Sequence, residues 1–320
     1  MPAPGQNPGQ PSWDVYVDAL ASEHGSLSAV CARLAETHGW REDIESIGRA
    51  LRRLRRRGTR PGGRWGARLL ATFGLPKSVD ARLRFMGSYH SRFVDLPASL
   101  CLDLVQLWDR PPTSESRSGR LWLSLARATL ALRAKDRERA REHLATARAV
   151  SVGEPVAQLE VALGEALLGS PSALDPVPGW LVQVGGEDGD CLRARYVGQV
   201  SHALNQAGDI AHAEALHLAL PDSPTTAPFA RSRRANGVAY GRFRHGDATA
   251  ALHYAHLAAR YAGDAGHVRL RAMALLMVAR VSSTQDEADD ARERARAIGH
   301  ALEDETLLAR CDASARSRAR

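Results

Sequence analysis

Lysine is almost missing from this chain: of its 43 basic residues only Lys77 and Lys135 are lysines, and the rest are arginines. In a background rich in alanine, glycine and proline, so much arginine reflects overall composition as much as function. The formal charge of +7 therefore excludes little by itself. Aromatic residues make up only 5%, β-branched residues are scarce, and alanine and leucine dominate, which argues against a sheet-rich fold and for helices. The four cysteines, Cys31, Cys101, Cys191 and Cys311, form no CxxC pair, so a zinc ribbon or a redox motif finds no support. The longest apolar run, AMALLMVA at 272–279, is too short to span a bilayer. The opening MPAPGQNPGQP has no apolar signal-like core, and the expectation is a reduced, cytoplasmic protein away from the membrane. No nucleophile elbow, phosphate-binding loop, HExxH or dinucleotide fingerprint occurs, so neither an enzyme nor a cofactor is expected. His253 and His256 are three apart, but no carboxylate or cysteine stands at ligand spacing beside them, and no metal is expected. GGEDGD at 185–190 is too short for an EF-hand and reads as a flexible inter-repeat loop.

What is present is an uneven distribution of charge. Residues 1–100 sum to +6 and residues 101–320 to +1. Residues 49–68 alone hold nine arginines and no acid. Residues 1–11 read as a disordered tail rich in proline, glycine and glutamine. Ser12 is a suitable N-cap, and Trp13, Tyr16, Val17 and Leu20 follow at helical spacing up to a break at Gly25. The next helix, SLSAVCARLAE, puts Leu27, Val30, Cys31 and Leu34 on one face and ends near Gly39. A third runs from about Asp43 to Arg57 with Ile44, Ile47, Leu51 and Leu54 in one stripe, within about 80° at 100° per residue. Arg49, Arg52, Arg53, Arg56 and Arg57 spread over the other side. Like charges at these spacings repel by a few tenths of a kcal/mol per pair, so interspersed glutamates would serve solubility better. Concentrated arginine makes sense beside a polyanion, because each guanidinium can grip a phosphate bidentately and counterion release drives binding. A solvated face and an acidic protein partner remain the other readings. TRPGGRWG then reads as a wing, with Gly62-Gly63 at a hairpin tip carrying Arg60 and Arg64 and with Trp65 packing back.

These three short helices, the last one basic, resemble a helix-turn-helix domain. Ala29, Val30, Ala32 and Leu34 match that family's second helix. The seven residues from Glu36 to Glu42 are a longer turn than its usual three or four. The resemblance implies contact with DNA through Arg49, Arg52, Arg53, Arg56, Arg57, Arg60 and Arg64.

Beyond this region the punctuation is regular. AKDRERA at 134–140, AGDIAHA at 207–213 and HGDATAA at 245–251 each place alanine four residues after aspartate: Asp136/Ala140, Asp209/Ala213 and Asp247/Ala251. Lys135, Gly208 and Gly246 are separated by 73 and 38 residues, and GSPSA at 169–173 fills the midpoint of the longer gap. Counting outward reaches STQDEADDA at 282–291 and DLPAS at 95–99. Such a period marks stacked helical hairpins. The Gly-Asp turns, the alanines that follow them and Ala239 resemble the tetratricopeptide repeat family, without most of its tryptophan and proline positions. The resemblance implies a concave groove with Arg195, His202, Asn205, Arg233, Asn236 and Tyr240 facing a bound peptide or protein. Met273 and Met277, with Leu270, Leu275 and Leu276, read as core of the last hairpin.

The expected architecture is all-α, a helix-turn-helix-like domain followed by a superhelical repeat array. The expected boundaries are a tail at 1–11, a basic domain at 12–66, a linking helical hairpin at 67–112, repeats at 113–310 and a tail at 311–320. The organisation resembles bacterial regulators that join a DNA-binding domain to a repeat array holding a peptide or protein, with a homodimer as one allowed state. The alternative is a non-enzymatic tetratricopeptide scaffold whose basic N-terminal domain binds no nucleic acid.

Overall fold

In the computed structural model, residues 11–38 and 43–318 are described. Residues 1–10 of the expected tail at 1–11 and the turn positions 39–42 lie outside them. Among the described residues there are seventeen α-helices, three short 3-10 turns and no strand. The chain divides into two units, Met1–Ser88 with Leu102–Arg127, and Tyr89–Cys101 with Ala128–Arg320.

The first unit begins with α1 (Trp13–Glu23), α2 (Leu27–His38), α3 (Ile44–Arg55), α4 (Gly63–Phe73) and α5 (Lys77–Gly87). Two further helices, α6 (Ala98–Trp108) and α7 (Arg117–Arg133), run across the boundaries between the units. Its core joins Trp13, Tyr16, Val17 and Leu20 of α1, Val30, Cys31 and Leu34 of α2, and Ile47, Leu51 and Leu54 of α3. Trp13 fixes the turn after α3. Its ring lies so close to the backbone that a Cβ on Gly62 or Gly66 would stand 2.2 or 2.7 Å from it. The indole Nε1 donates to the carbonyl of Arg60 at 2.9 Å, and the Tyr16 hydroxyl donates to the carbonyl of Gly74 at 2.7 Å.

Two expectations fail here. Ile44 does not share the buried stripe; it is 49% exposed at the first position of α3, beside the N-cap Asp43. TRPGGRWG is not a hairpin wing. Gly63 opens α4, and the Gly62 amide donates to the Glu115 carboxylate at 3.1 Å. The three residues on either side of Gly62-Gly63 are too few to hold a hairpin together, whereas a helix lets Leu69 complete the core with Leu70, Phe73 and Leu75 against it. That core continues past residue 66, where the sequence reading ended the domain.

The second unit contains α8 (Arg137–Val150), α9 (Pro155–Leu167), α10 (Val177–Leu181), α11 (Gly186–Ala207) and α12 (Ile210–Leu218). It continues with α13 (Pro228–Arg244), α14 (Ala248–Asp264), α15 (Val268–Val281), α16 (Gln285–Ala301) and α17 (Glu305–Arg318). The aspartate turns have one geometry. Lys135, Gly208 and Gly246 have φ of 59°, 87° and 82°, which is the left-handed region. Asp136, Asp209 and Asp247 then cap α8, α12 and α14 by accepting from the amides of Arg139, His212 and Ala250. The alanines one turn on, Ala140, Ala213 and Ala251, are 0%, 2% and 0% exposed. The same left-handed step recurs at Gly266-His267 and Glu303-Asp304, where Asp304 accepts from the Leu307 amide at 2.9 Å. These last two turns stand 37 residues apart, close to the 38 between Asp209 and Asp247, and the sequence reading did not mark them.

Alanine lets α13 and α14 approach closely. Ala251, Ala255, Ala258 and Ala262 form a fully buried stripe on α14, and Ala235, Val238 and Ala239 do the same on α13. Leu275, Met277 and Val278 of α15 extend this core, with Met273 and Leu276 packed at its edge. Two further expectations are corrected. GGEDGD is not a loop: from Gly186 it is the first turn of α11, with Gly185 as N-cap. The expected tail at 311–320 is helical to Arg318, because Leu307 and Cys311 continue a buried face of α17.

Candidate functional site

The cationic surface of the first unit arises from a helix with one apolar side. Ile47, Gly48, Ala50, Leu51 and Leu54 are buried, so Arg49, Arg52 and Arg53 on the other side face water. Arg49, Arg52, Arg53, Arg56, Arg57, Arg60 and Arg64 are all exposed. Arg49 lies 3.6 Å from Glu45 and donates to the Ser46 hydroxyl, while Arg57 donates to the carbonyl of Pro61 at 2.6 Å. Among the described residues, Arg52, Arg53, Arg56, Arg60 and Arg64 have no carboxylate within 4.0 Å. Arg55, on the flank of α3, is engaged with Asp18 at 2.7 Å.

The second unit holds its arginines differently. Tyr89 precedes a 3-10 turn (Arg92–Asp95); guanidiniums from α11 and α15 touch its side chain, and those of α13 and α17 add their field. Arg195 stacks on the ring with its guanidinium carbon 4.5 Å from the centroid. Arg269 donates to the phenol oxygen at 2.7 Å. Arg233 and Arg310 contribute the remaining positive field. Burial alone would raise the pKa of this phenol, but the four guanidiniums outweigh it and the net shift is downward.

Only part of this charge is compensated. Arg195 is 5% exposed and pairs with buried Glu160 at 2.6 Å. Asp304, fully buried, holds Arg269 at 2.6 Å and Arg133 at 3.7 Å. Arg133 also donates to the carbonyls of Val94, Leu96 and Leu302, which makes it a structural clamp. His90 bridges Asp188 at 2.8 Å and Glu160 at 3.4 Å; burial would lower its pKa, but these carboxylates raise it overall. For Arg233 and Arg310, among the described residues no carboxylate lies within 4.0 Å. Burial and the neighbouring guanidiniums push Arg233 down to about 10, despite the attraction of Tyr89. Its Nε is sealed from solvent without a hydrogen-bond partner.

The six residues expected to line a groove thus occupy different settings. Arg195 is internally paired and Arg233 is not. His202 is exposed. Asn205 and Asn236 are half-buried, each with a sealed, unpartnered Oδ1. Tyr240 is half-buried, and its hydroxyl accepts from Arg244 at 3.0 Å. The sequence reading missed Tyr89, Arg269 and Arg310. Arg269 and Arg310 continue Arg195 and Arg233 at spacings of 38, 36 and 41 residues, so the repeat period was the signal that could have found them.

Among the described residues no cluster of three or more metal-ligating side chains occurs, and no helix is long and apolar enough to cross a membrane. All four cysteines are buried and free. In comparison with known proteins, no family model matches the chain, and no curated protein matches it either.

Proposed function

We propose that this chain is a non-enzymatic, DNA-binding regulator. In this reading the first unit is a helix-turn-helix-like domain that holds the DNA backbone with α3 and the turn after it. The second unit is a tetratricopeptide-like array that receives a peptide or protein partner. One observation carries the DNA half: the exposed Arg52, Arg53, Arg56, Arg60 and Arg64 have no carboxylate partner among the described residues. A solubility surface gains nothing from leaving them unpaired, whereas a phosphate backbone would engage each one. The order of three short packed helices, with the arginines on the third, supports the helix-turn-helix-like assignment. For the array, the support is the recurring left-handed step into an aspartate cap, followed by a buried alanine. Phosphate contacts supply affinity and register, and base preference would have to come from other side chains.

The test is binding to a duplex of about 30 base pairs as salt is raised. With about six phosphates neutralised, log K falls against log salt with a slope of about −5. Failure to bind at about 50 mM salt, where such electrostatic contacts are strong, overturns the DNA half and leaves an interaction scaffold.

A further inference from the structure

We propose that the second unit contains a binding site for a compact, doubly charged oxyanion of the phosphate-monoester class, formed by Arg233 and Arg310 beside Tyr89. This rests on reading the second unit as the ligand-binding half and does not depend on DNA binding.

Positive charge exceeds negative charge around Tyr89. Five guanidiniums, Arg133, Arg195, Arg233, Arg269 and Arg310, share this region with the buried carboxylates Glu160 and Asp304. Glu160 is committed to Arg195, and Asp304 to Arg269 and Arg133. His90 and Asp188 pair with one another, and Asp95 accepts from the Arg269 amide and lies 3.6 Å from His267. Arg233 and Arg310 are left over. Among the described residues Arg310 donates only to the sulfur of Met273, a weak acceptor. Packing uncompensated guanidiniums together costs stability, because each repels the next in a poorly screened setting. An entering anion removes that cost.

Exposure runs in a gradient through the cluster. Arg195 is closed off, the Arg269 side chain is 14% exposed, Arg233 is half-buried and Arg310 is exposed. The unpaired charge therefore lies on the side that solvent reaches, and the paired charge forms the floor. Two free guanidiniums match an anion of charge near two, and their forked donors suit phosphate oxygens bidentately. A single carboxylate would leave one of them unmatched.

Tyr89 supplies an internal reporter, since its acidity comes from the same four arginines. The probe is inorganic phosphate, added to the full chain while phenolate absorbance is followed against pH. The Tyr89→Phe variant serves as the blank. Phosphate is expected to shift Tyr89 ionisation to higher pH, and titration calorimetry is expected to show one site. Arg233→Met and Arg310→Met are each expected to weaken that site by about tenfold or more. Gly198→Ala gives a second route. Its Cβ would stand 2.8 Å from the tip of Arg233, displacing the guanidinium without removing charge, and it is expected to weaken phosphate while helical circular dichroism is retained. Glutarate and acetate form the comparison arms. Binding of glutarate with no response to phosphate assigns the site to carboxylates and overturns the phosphate class. A phosphate response that survives both methionine variants, or none at all, overturns the site. Arg52→Glu/Arg53→Glu/Arg56→Glu is expected to keep the phosphate response, so loss of DNA binding and loss of this site are read separately.

Discussion

The two units use arginine in opposite ways. In the first, guanidiniums project from α3 and the turn after it, and six of the seven in the candidate interface meet no carboxylate among the described residues. In the second, Arg133 and Arg195 are buried and bound to Asp304 and Glu160, and Arg233, Arg269 and Arg310 join Arg195 around Tyr89. An exposed cation surrounded by water costs the fold little and is screened by salt, so it can be spent on an external anion. A buried cation must be matched inside the fold. The lesson is that charge count along the sequence is a poor guide. The first hundred residues carry most of the net charge, yet the second unit holds the stronger local fields.

This contrast can be broken most severely at Asp304. Asp304→Asn leaves Arg133 and Arg269 without their buried anion and is expected to cost about 3–5 kcal/mol in urea unfolding. An unfolding midpoint near that of the wild type would mean those arginines are far better solvated than their burial implies.

Acid provides a smaller perturbation with a defined sign. His217 is buried, and desolvation, together with Arg233 and Arg234, depresses its pKa to about 4. The unfolded histidine takes up a proton near pH 6.5, but the folded one does not until about pH 4. Stability from this group is therefore complete above pH 6.5 and lost as pH falls toward 4, by about 3 kcal/mol at most. His90 works the other way, since its raised pKa gives stability at low pH that disappears on alkalinisation. His217→Gln is expected to flatten the acid limb of the stability curve; an unchanged limb would remove His217 from the account.

The smallest effect belongs to the surface of the first unit. Arg55→Ala, which removes the exposed pair with Asp18, is expected to change stability by about 0.2–1 kcal/mol. A loss comparable to that of Asp304→Asn would erase the distinction between the units.

Local signals were legible in the sequence where one residue type has one physical job. The apolar periodicity of α1 to α3 revealed Trp13, Tyr16, Leu20, Leu34, Ile47 and Leu51 as core. The aspartate-to-alanine spacing revealed the turns capped by Asp136, Asp209 and Asp247. What escaped depended on distant partners. Gly62-Gly63 looks like a hairpin tip until the Trp13 ring is seen to require a bare backbone there. The acidic GGEDGD looks like a loop, yet Asp188 and Asp190 of α11 hold His90 and the Ala227 amide. Arg195 and Arg233 share a register and were read alike, but only Arg195 has Glu160 facing it from α9. Spacing along the chain does not record which carboxylate will arrive opposite.

The most direct measurement is duplex DNA affinity of the wild type and of Arg52→Glu/Arg53→Glu/Arg56→Glu at low salt, with circular dichroism on both. All three side chains are exposed and none is paired among the described residues, so the helical signal is expected to be unchanged and binding to be lost. A folded triple variant that binds duplex as tightly as the wild type would contradict the claim that this ridge is the nucleic-acid contact.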